Sequence, residues 1–145
     1  PNQKHHVRRL IQQLAEGSNK MVVVSTHILE EVSAVCSRAV IIGRGRLLAD
    51  GTPDELEARS RYHQAVTLSL GQAVSTAPLE SLPGVLAVES QRDGQLLTVL
   101  AKPGEVIFPA VGQVAREQQW QVNELSVERG RLDEVFRTLT SGEAA

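Results

Sequence analysis

Ser25-Thr26-His27 follows directly on the apolar run Met21-Val22-Val23-Val24 and precedes Leu29-Glu30-Glu31-Val32. An imidazole at the carboxyl end of a β-branched run can donate an N–H to an anionic oxygen, and open α/β sheets gather ligands at that edge. His27 is therefore the first candidate for chemistry, although a solitary histidine at a strand end is also an ordinary solvated residue. Other groups give less. His5 and His6 are adjacent on an amphipathic helix, so their side chains point about 100° apart and cannot share a metal. Glu30 and Glu31 resemble a catalytic pair, but acids in a first helical turn serve the helix dipole. Gly43-Arg44-Gly45 lies between two short apolar runs and reads as a reversal, not a phosphate cradle. Cys36 falls on an apolar helix face as a small hydrophobe, and a single cysteine permits neither an internal disulfide nor a cysteine-based zinc site. Arg129, Arg131 and Arg137 read as exposed arginines beside a helix.

The elements that must position these residues fall into two halves, joined near Arg59 to Tyr62. Val7, Leu10, Ile11 and Leu14 recur at helical spacing before Gly17. The Met21 to Val24 run predicts a strand covered on both faces, feeding without a loop into a helix marked by Ile28, Leu29, Val32, Val35 and Cys36. Ala39 to Ile42 and Leu47 to Ala49 predict a hairpin. Thr52-Pro53-Asp54-Glu55 has the order of a capping box and predicts a helix start.

In the second half, Val66, Leu68 and Leu70 alternate with Thr67 and Ser69, as in a strand with one face buried. A short helix around Pro78 to Leu82 follows, then a strand from Val85 to Ser90. Asp93-Gly94 suits a tight hairpin into Leu96 to Ala101. Ile107, Ala110, Val111, Val114 and Ala115 make the apolar stripe of the longest helix of this half. In the strand from Gln121 to Glu128, Val122 is out of phase with Leu125 and Val127, and a bulge near Asn123 reconciles them. Trp120 is expected to anchor the core. Leu132, Val135, Phe136 and Leu139 define a closing helix before a polar tail expected to fray. The order β, α, β, β, α, β plus a final helix predicts a ferredoxin-like domain.

The whole chain has 145 residues, with 15 basic and 17 acidic side chains and 3% aromatics. That balance offers no broad positive field and few stacking platforms, which argues against nucleic-acid binding. No run approaches the roughly 18 apolar residues of a membrane-spanning helix. A cytoplasmic protein is the expectation.

Read together, Pro1-Asn2-Gln3, Val22 to His27, Leu29-Glu30-Glu31-Val32, Ile41-Ile42, Gly45-Arg46-Leu47 and Ala49 to Leu56 resemble the closing portion of an ABC transporter ATP-binding subunit. Leu132-Asp133-Glu134-Val135-Phe136-Arg137-Thr138-Leu139-Thr140 is similar to the ending of the ATPases of ABC-2 type exporters. The resemblance implies an α/β fold in which residues 1–61 are the remnant of a P-loop ATPase domain, and 62–145 a ferredoxin-like α+β accessory domain. It implies that His27 is the H-loop histidine, catalytic and nucleotide-binding at the terminal phosphate, with ATP and Mg²⁺ used by the full-length parent. The implied partners are a membrane permease and a second ATPase subunit, at the inner face of the plasma membrane. Within these 145 residues there is no G-x-x-x-x-G-K-[ST] loop, signature motif or Asp-Glu strand end. The polypeptide alone is accordingly expected to be inactive and to bind no nucleotide tightly. The unpaired Met21 to Val24 strand is expected to drive self-association, or else to leave the first half disordered. An alternative reading makes the second half an autonomous regulatory or dimerisation module that binds a small ligand.

Overall fold

The computed structural model describes residues 2–17 and 19–142. Pro1, where the first resemblance starts, and the end of the tail at 143–145 lie outside them. The fold is mixed α/β with two antiparallel sheets, and the chain divides into two compact units, one up to Asp54 and one from Glu55 onward. That division falls ahead of the joint expected between residues 61 and 62. Leu56 and Ser60, both buried, anchor this stretch by their own packing.

In the first unit, α1 (Asn2–Gly17) and α2 (Leu29–Val35) are tied by the Gln12 side-chain amide, which donates to the Ala34 carbonyl. Strands β1 (Ala39–Gly43) and β2 (Arg46–Gly51) form the expected hairpin, with Arg44 and Gly45 both at positive φ. Two left-handed residues in a two-residue loop match the twist of the flanking strands. Arg38 grips Asp50 with two hydrogen bonds of 2.8 and 2.7 Å, closing the open end of the hairpin and holding the Asp50 carboxyl below its ordinary value.

The buried strand expected at Met21 to Val24 is absent. Residues 21–26 take neither helix nor strand, and Met21 and Val23 are 89% and 81% exposed. A β-branched run becomes a strand only when neighbours supply N–H and C=O partners, and β1 and β2 pair with each other alone.

The second unit begins within α3 (Pro53–Glu57) and is built on four strands: β3 (Val66–Leu70), β4 (Val85–Gln91), β5 (Leu96–Ala101) and β6 (Val122–Val127). Their spatial order is β4-β5-β3-β6, and all neighbours are antiparallel. β3 and β4 therefore run parallel with β5 between them, and β5 and β6 run parallel with β3 between them. The connecting helices α4 (Ala77–Glu80) and α5 (Phe108–Glu117) share one core with the sheet. Leu79 of α4 and Val111, Val114 and Ala115 of α5 meet Val66, Leu68, Leu97 and Val99, with Trp120 packed against the cluster. Burying each such Val or Leu side chain stabilises the unit by about 1.5–3 kcal/mol.

Both edge strands are bulged. Ser69 faces Glu124 and Leu70 faces Val122, so Asn123 is the extra residue, at the position where the hydrophobic phase slips. On β4, Val85 faces Ala101 and Ala87 faces Leu100, which leaves Leu86 extra. The hairpin expected around Asp93-Gly94 joins β4 and β5. Arg92, Asp93 and Gly94 are all left-handed and, with Gln95, make a four-residue connection. Among the described residues, no helix is long and apolar enough to cross a membrane.

α6 (Leu132–Ser141) is entered through Gly130, whose φ is +129°. A Cβ there would stand 2.0 Å from the Glu57 carbonyl oxygen, so there is no room for a side chain, and the positive φ independently disfavours one. Gly130→Ala is expected to destabilise the unit by about 2 kcal/mol or more. Urea unfolding followed by Trp120 fluorescence would measure this, and an unchanged midpoint would mean that the two segments part freely.

Candidate functional site

His27 stands at a bend between the exposed 21–26 segment and α2, and its side chain is exposed. The neighbouring Thr26 shapes that bend. Its hydroxyl accepts the Ile28 backbone N–H at 3.0 Å and donates to a Glu31 carboxylate oxygen at 3.4 Å. The Ile28 carbonyl in turn accepts the Glu31 N–H at 3.1 Å. Short hydroxyl-to-backbone bonds of this kind turn an extended segment into a helix. Glu31 thus has a definite task, holding Thr26, alongside its place in the first turn of α2.

Beside this bend is a cavity of about 230 Å³, lined by Val7 and Ile11 of α1 and by Val24, Thr26, Val35 and Cys36. His27 does not line it. Cys36 is half-buried at its wall, less enclosed than its place on an apolar face implied. His5 and His6 are exposed on α1, and among the described residues no group of three His, Cys, Asp or Glu side chains is placed to hold a metal ion. Gly43 and Gly45 belong to the β1–β2 turn. Among the described residues, then, no Mg²⁺ site or phosphate cradle is assembled, and His27 is the residue that the resemblance assigns to the nucleotide.

A second constellation lies in the second unit, in no motif. The register places Glu89, Thr98, Thr67 and Ser126 side by side on the sheet face away from the α4–α5 core. Thr98 and Leu100 on that face are buried, so it is covered as well. Over it sits Tyr62, whose hydroxyl donates to Glu89, with oxygens at 2.9 and 3.2 Å. Arg61 pairs with the same carboxylate. The Arg131 guanidinium lies 3.6 Å from the Tyr62 ring centroid and holds Glu128 through two hydrogen bonds of 2.8 and 2.7 Å, while Thr67 donates to Glu128 at 3.0 Å. Stacking of this sort is worth about 0.5–2 kcal/mol and a bidentate carboxylate grip adds to it. Arg131 is thus a structural pivot, and Arg137 is paired with Asp133 at 3.2 Å. Arg129 is exposed and in no ion pair among the described residues.

Tyr62 is pushed above its ordinary value of 10.0, by burial first and by the Glu89 carboxylate second, against the opposing pull of Arg61 and Arg131. A raised folded value means that the stability Tyr62 contributes is fully present below the unfolded value and is lost as pH rises through the folded one. It is the single tyrosine of the chain, so tyrosinate absorbance reports it alone. The titration midpoint is expected above 10.0, and Glu89→Gln is expected to lower it. A wild-type midpoint at or below 10.0 would show that the ring is not enclosed.

The chain is similar to ATP-binding proteins of ABC transporters. The chain is 29% identical over 126 residues to the daunorubicin resistance ATP-binding protein DrrA3 of Streptomyces coeruleorubidus, covering 86% of this chain and 39% of that protein. It is 30% identical over 124 residues to the bacitracin transport ATP-binding protein BcrA of Bacillus licheniformis, covering 86% and 36%. Over 50 residues it is 40% identical to the lipopolysaccharide export system ATP-binding protein LptB of Escherichia coli, covering 34% and 20%. The chain thus spans about two fifths or less of these relatives. No protein-family model matches it.

Proposed function

We propose that this chain, a relative of the ATP-binding proteins of ABC transporters, supplies the carboxyl-terminal stretch of such a subunit. In this reading residues 1–61 close the nucleotide-binding domain and residues 62–145 form a ferredoxin-like accessory domain. The observation that carries it is the Thr26 turn, which fixes the backbone on either side of His27 and leaves the imidazole exposed at the end of the extended segment. An imidazole N–H directed at the terminal phosphoryl oxygens of ATP meets charge that grows as the phosphoryl group transfers. It therefore stabilises the transition state more than the bound substrate. Cradling the nucleotide and its Mg²⁺ falls to residues other than these.

The accessory-domain reading is supported by the two interleaved β-α-β units of the four-stranded sheet, each split by a strand of the other. The subunit would work as a dimer with a second ATPase subunit at the inner face of the plasma membrane, coupled to a permease in export. That direction fits the printed roles of the relatives, in resistance to daunorubicin and in export of lipopolysaccharide.

The test is steady-state ATP hydrolysis by the complete subunit carrying these residues, wild type against His27→Ala. The variant is expected to lose about 10²–10³ in kcat with little change in nucleotide affinity, as when one aimed donor to a developing oxyanion is removed. Wild-type kcat in the variant would overturn the role of His27. The 145-residue chain by itself is expected to release no phosphate from ATP.

A further inference from the structure

The cavity beside the Thr26 turn lies wholly within the first unit and measures about 230 Å³. An engineered apolar cavity of about 150 Å³ takes up benzene, so this one has room for a single ring and a short substituent. Its body is aliphatic. Val7 and Ile11 come from α1, Val35 from α2 and Val24 from the extended segment, and the Cys36 thiol adds a soft, weakly polar surface.

Charge does not select the occupant. Lys4 and Arg8 bring positive charge to the lining and Glu31 negative charge, and none of the three is in an ion pair among the described residues. The selecting group is a single donor. The Arg8 Nε–H is buried without a hydrogen-bond partner, the one buried side-chain polar atom in that position among the described residues. A buried donor with no acceptor is costly, the more so on a cation. Water is a poor remedy, because a trapped molecule needs about two to four polar partners and the Thr26 hydroxyl is already bonded to Ile28 and Glu31. An acceptor carried on an apolar body answers both the donor and the aliphatic wall.

We propose that this cavity binds a small uncharged ketone built on one ring. The ring lies against the aliphatic side chains. Arg8, half-buried on the wall, swings its Nε–H round to the cavity and donates it to the carbonyl oxygen. Val24 and Thr26 belong to the same wall, so an occupant is felt at the bend ahead of His27. The site goes beyond the nucleotide reading and does not depend on it, since no nucleotide enters either the argument or its test.

The probe is acetophenone, titrated into the 145-residue chain and followed by methyl shifts in ¹H–¹³C spectra and by the Arg8 Nε–H signal in ¹H–¹⁵N spectra. Ethylbenzene serves as the ring without the acceptor, and benzoate as the ring with a charged head. Saturable acetophenone shifts are expected at the methyls of Val7, Ile11, Val24 and Val35 and at the amides of Ser25 to Ile28. Ethylbenzene is expected to reach the same methyls about tenfold more weakly and to leave the Arg8 signal in place. Benzoate, whose charge loses its water beside Glu31, is expected to bind more weakly than acetophenone. Arg8→Met keeps the apolar stem and removes the donor. It is expected to bring acetophenone down to the affinity of ethylbenzene while ethylbenzene binds undiminished, a split that a loosened fold does not give. Val24 is 42% exposed, so Val24→Phe fills the cavity from its rim and is expected to abolish binding of both. Absence of saturable methyl shifts, equal wild-type affinities for acetophenone and ethylbenzene, tighter binding of benzoate, equal losses of both ring probes in Arg8→Met, or unchanged binding in Val24→Phe would each overturn the proposal.

Discussion

The Arg131 guanidinium against the Tyr62 ring is the contact on which the second unit's outer face depends. Glu89 and Glu128 both project on the side of the sheet away from the helical core, and two half-buried carboxylates there would be costly without counterions. Arg131 neutralises Glu128, Arg61 neutralises Glu89, and the ring between them receives both guanidiniums while giving its hydroxyl to Glu89. One aromatic side chain thus joins the turn after α3 to β4, to the exit of β6 and to the start of α6. The turn at 59–64 is held by the same joint, with Gly130 allowing the 130 segment to touch the Glu57 backbone.

The first unit obeys a different constraint. Its apolar side chains exceed what two helices and a hairpin can enclose: Val40, Ile42 and Leu47 are exposed on the hairpin, and Val7, Leu10 and Leu14 on α1. Such faces are apolar surface that the elements of this unit leave uncovered. Residues 21–26 run extended without a paired strand, since backbone pairing is a property of neighbours and not of the run itself.

Much of the second unit was legible because alternation there has one buried face. Val66, Leu68 and Leu70 point to the core as their spacing required, and the slipped phase of Val122 located the Asn123 bulge. Asp93-Gly94 marked a reversal but not its form, because three consecutive left-handed residues are set by how β4 and β5 end. Met21 to Val24 misled because hydrophobic pattern reports the environment a segment is suited to, whether or not that environment is present. The role proposed for His27 came from a resemblance; what the structure adds is the Thr26 hydroxyl that shapes its turn. The Tyr62 constellation was missed altogether, for its members, from Arg61 to Arg131, are separated by up to 70 positions and form no motif. A lone tyrosine in a chain so poor in aromatics was the one available signal.

The two bulges at the rims of the four-stranded sheet carry a consequence for how the molecule behaves when crowded. A regular outer strand is a template on which another chain can lay its own backbone, the first step toward fibrils. Asn123 and Leu86 each break that template at a point, so growth by strand addition is blocked on both sides. Any clumping of this polypeptide should then start from the greasy residues between α1 and α2, and gatekeeping charges placed there would improve its solubility more than any change to the sheet.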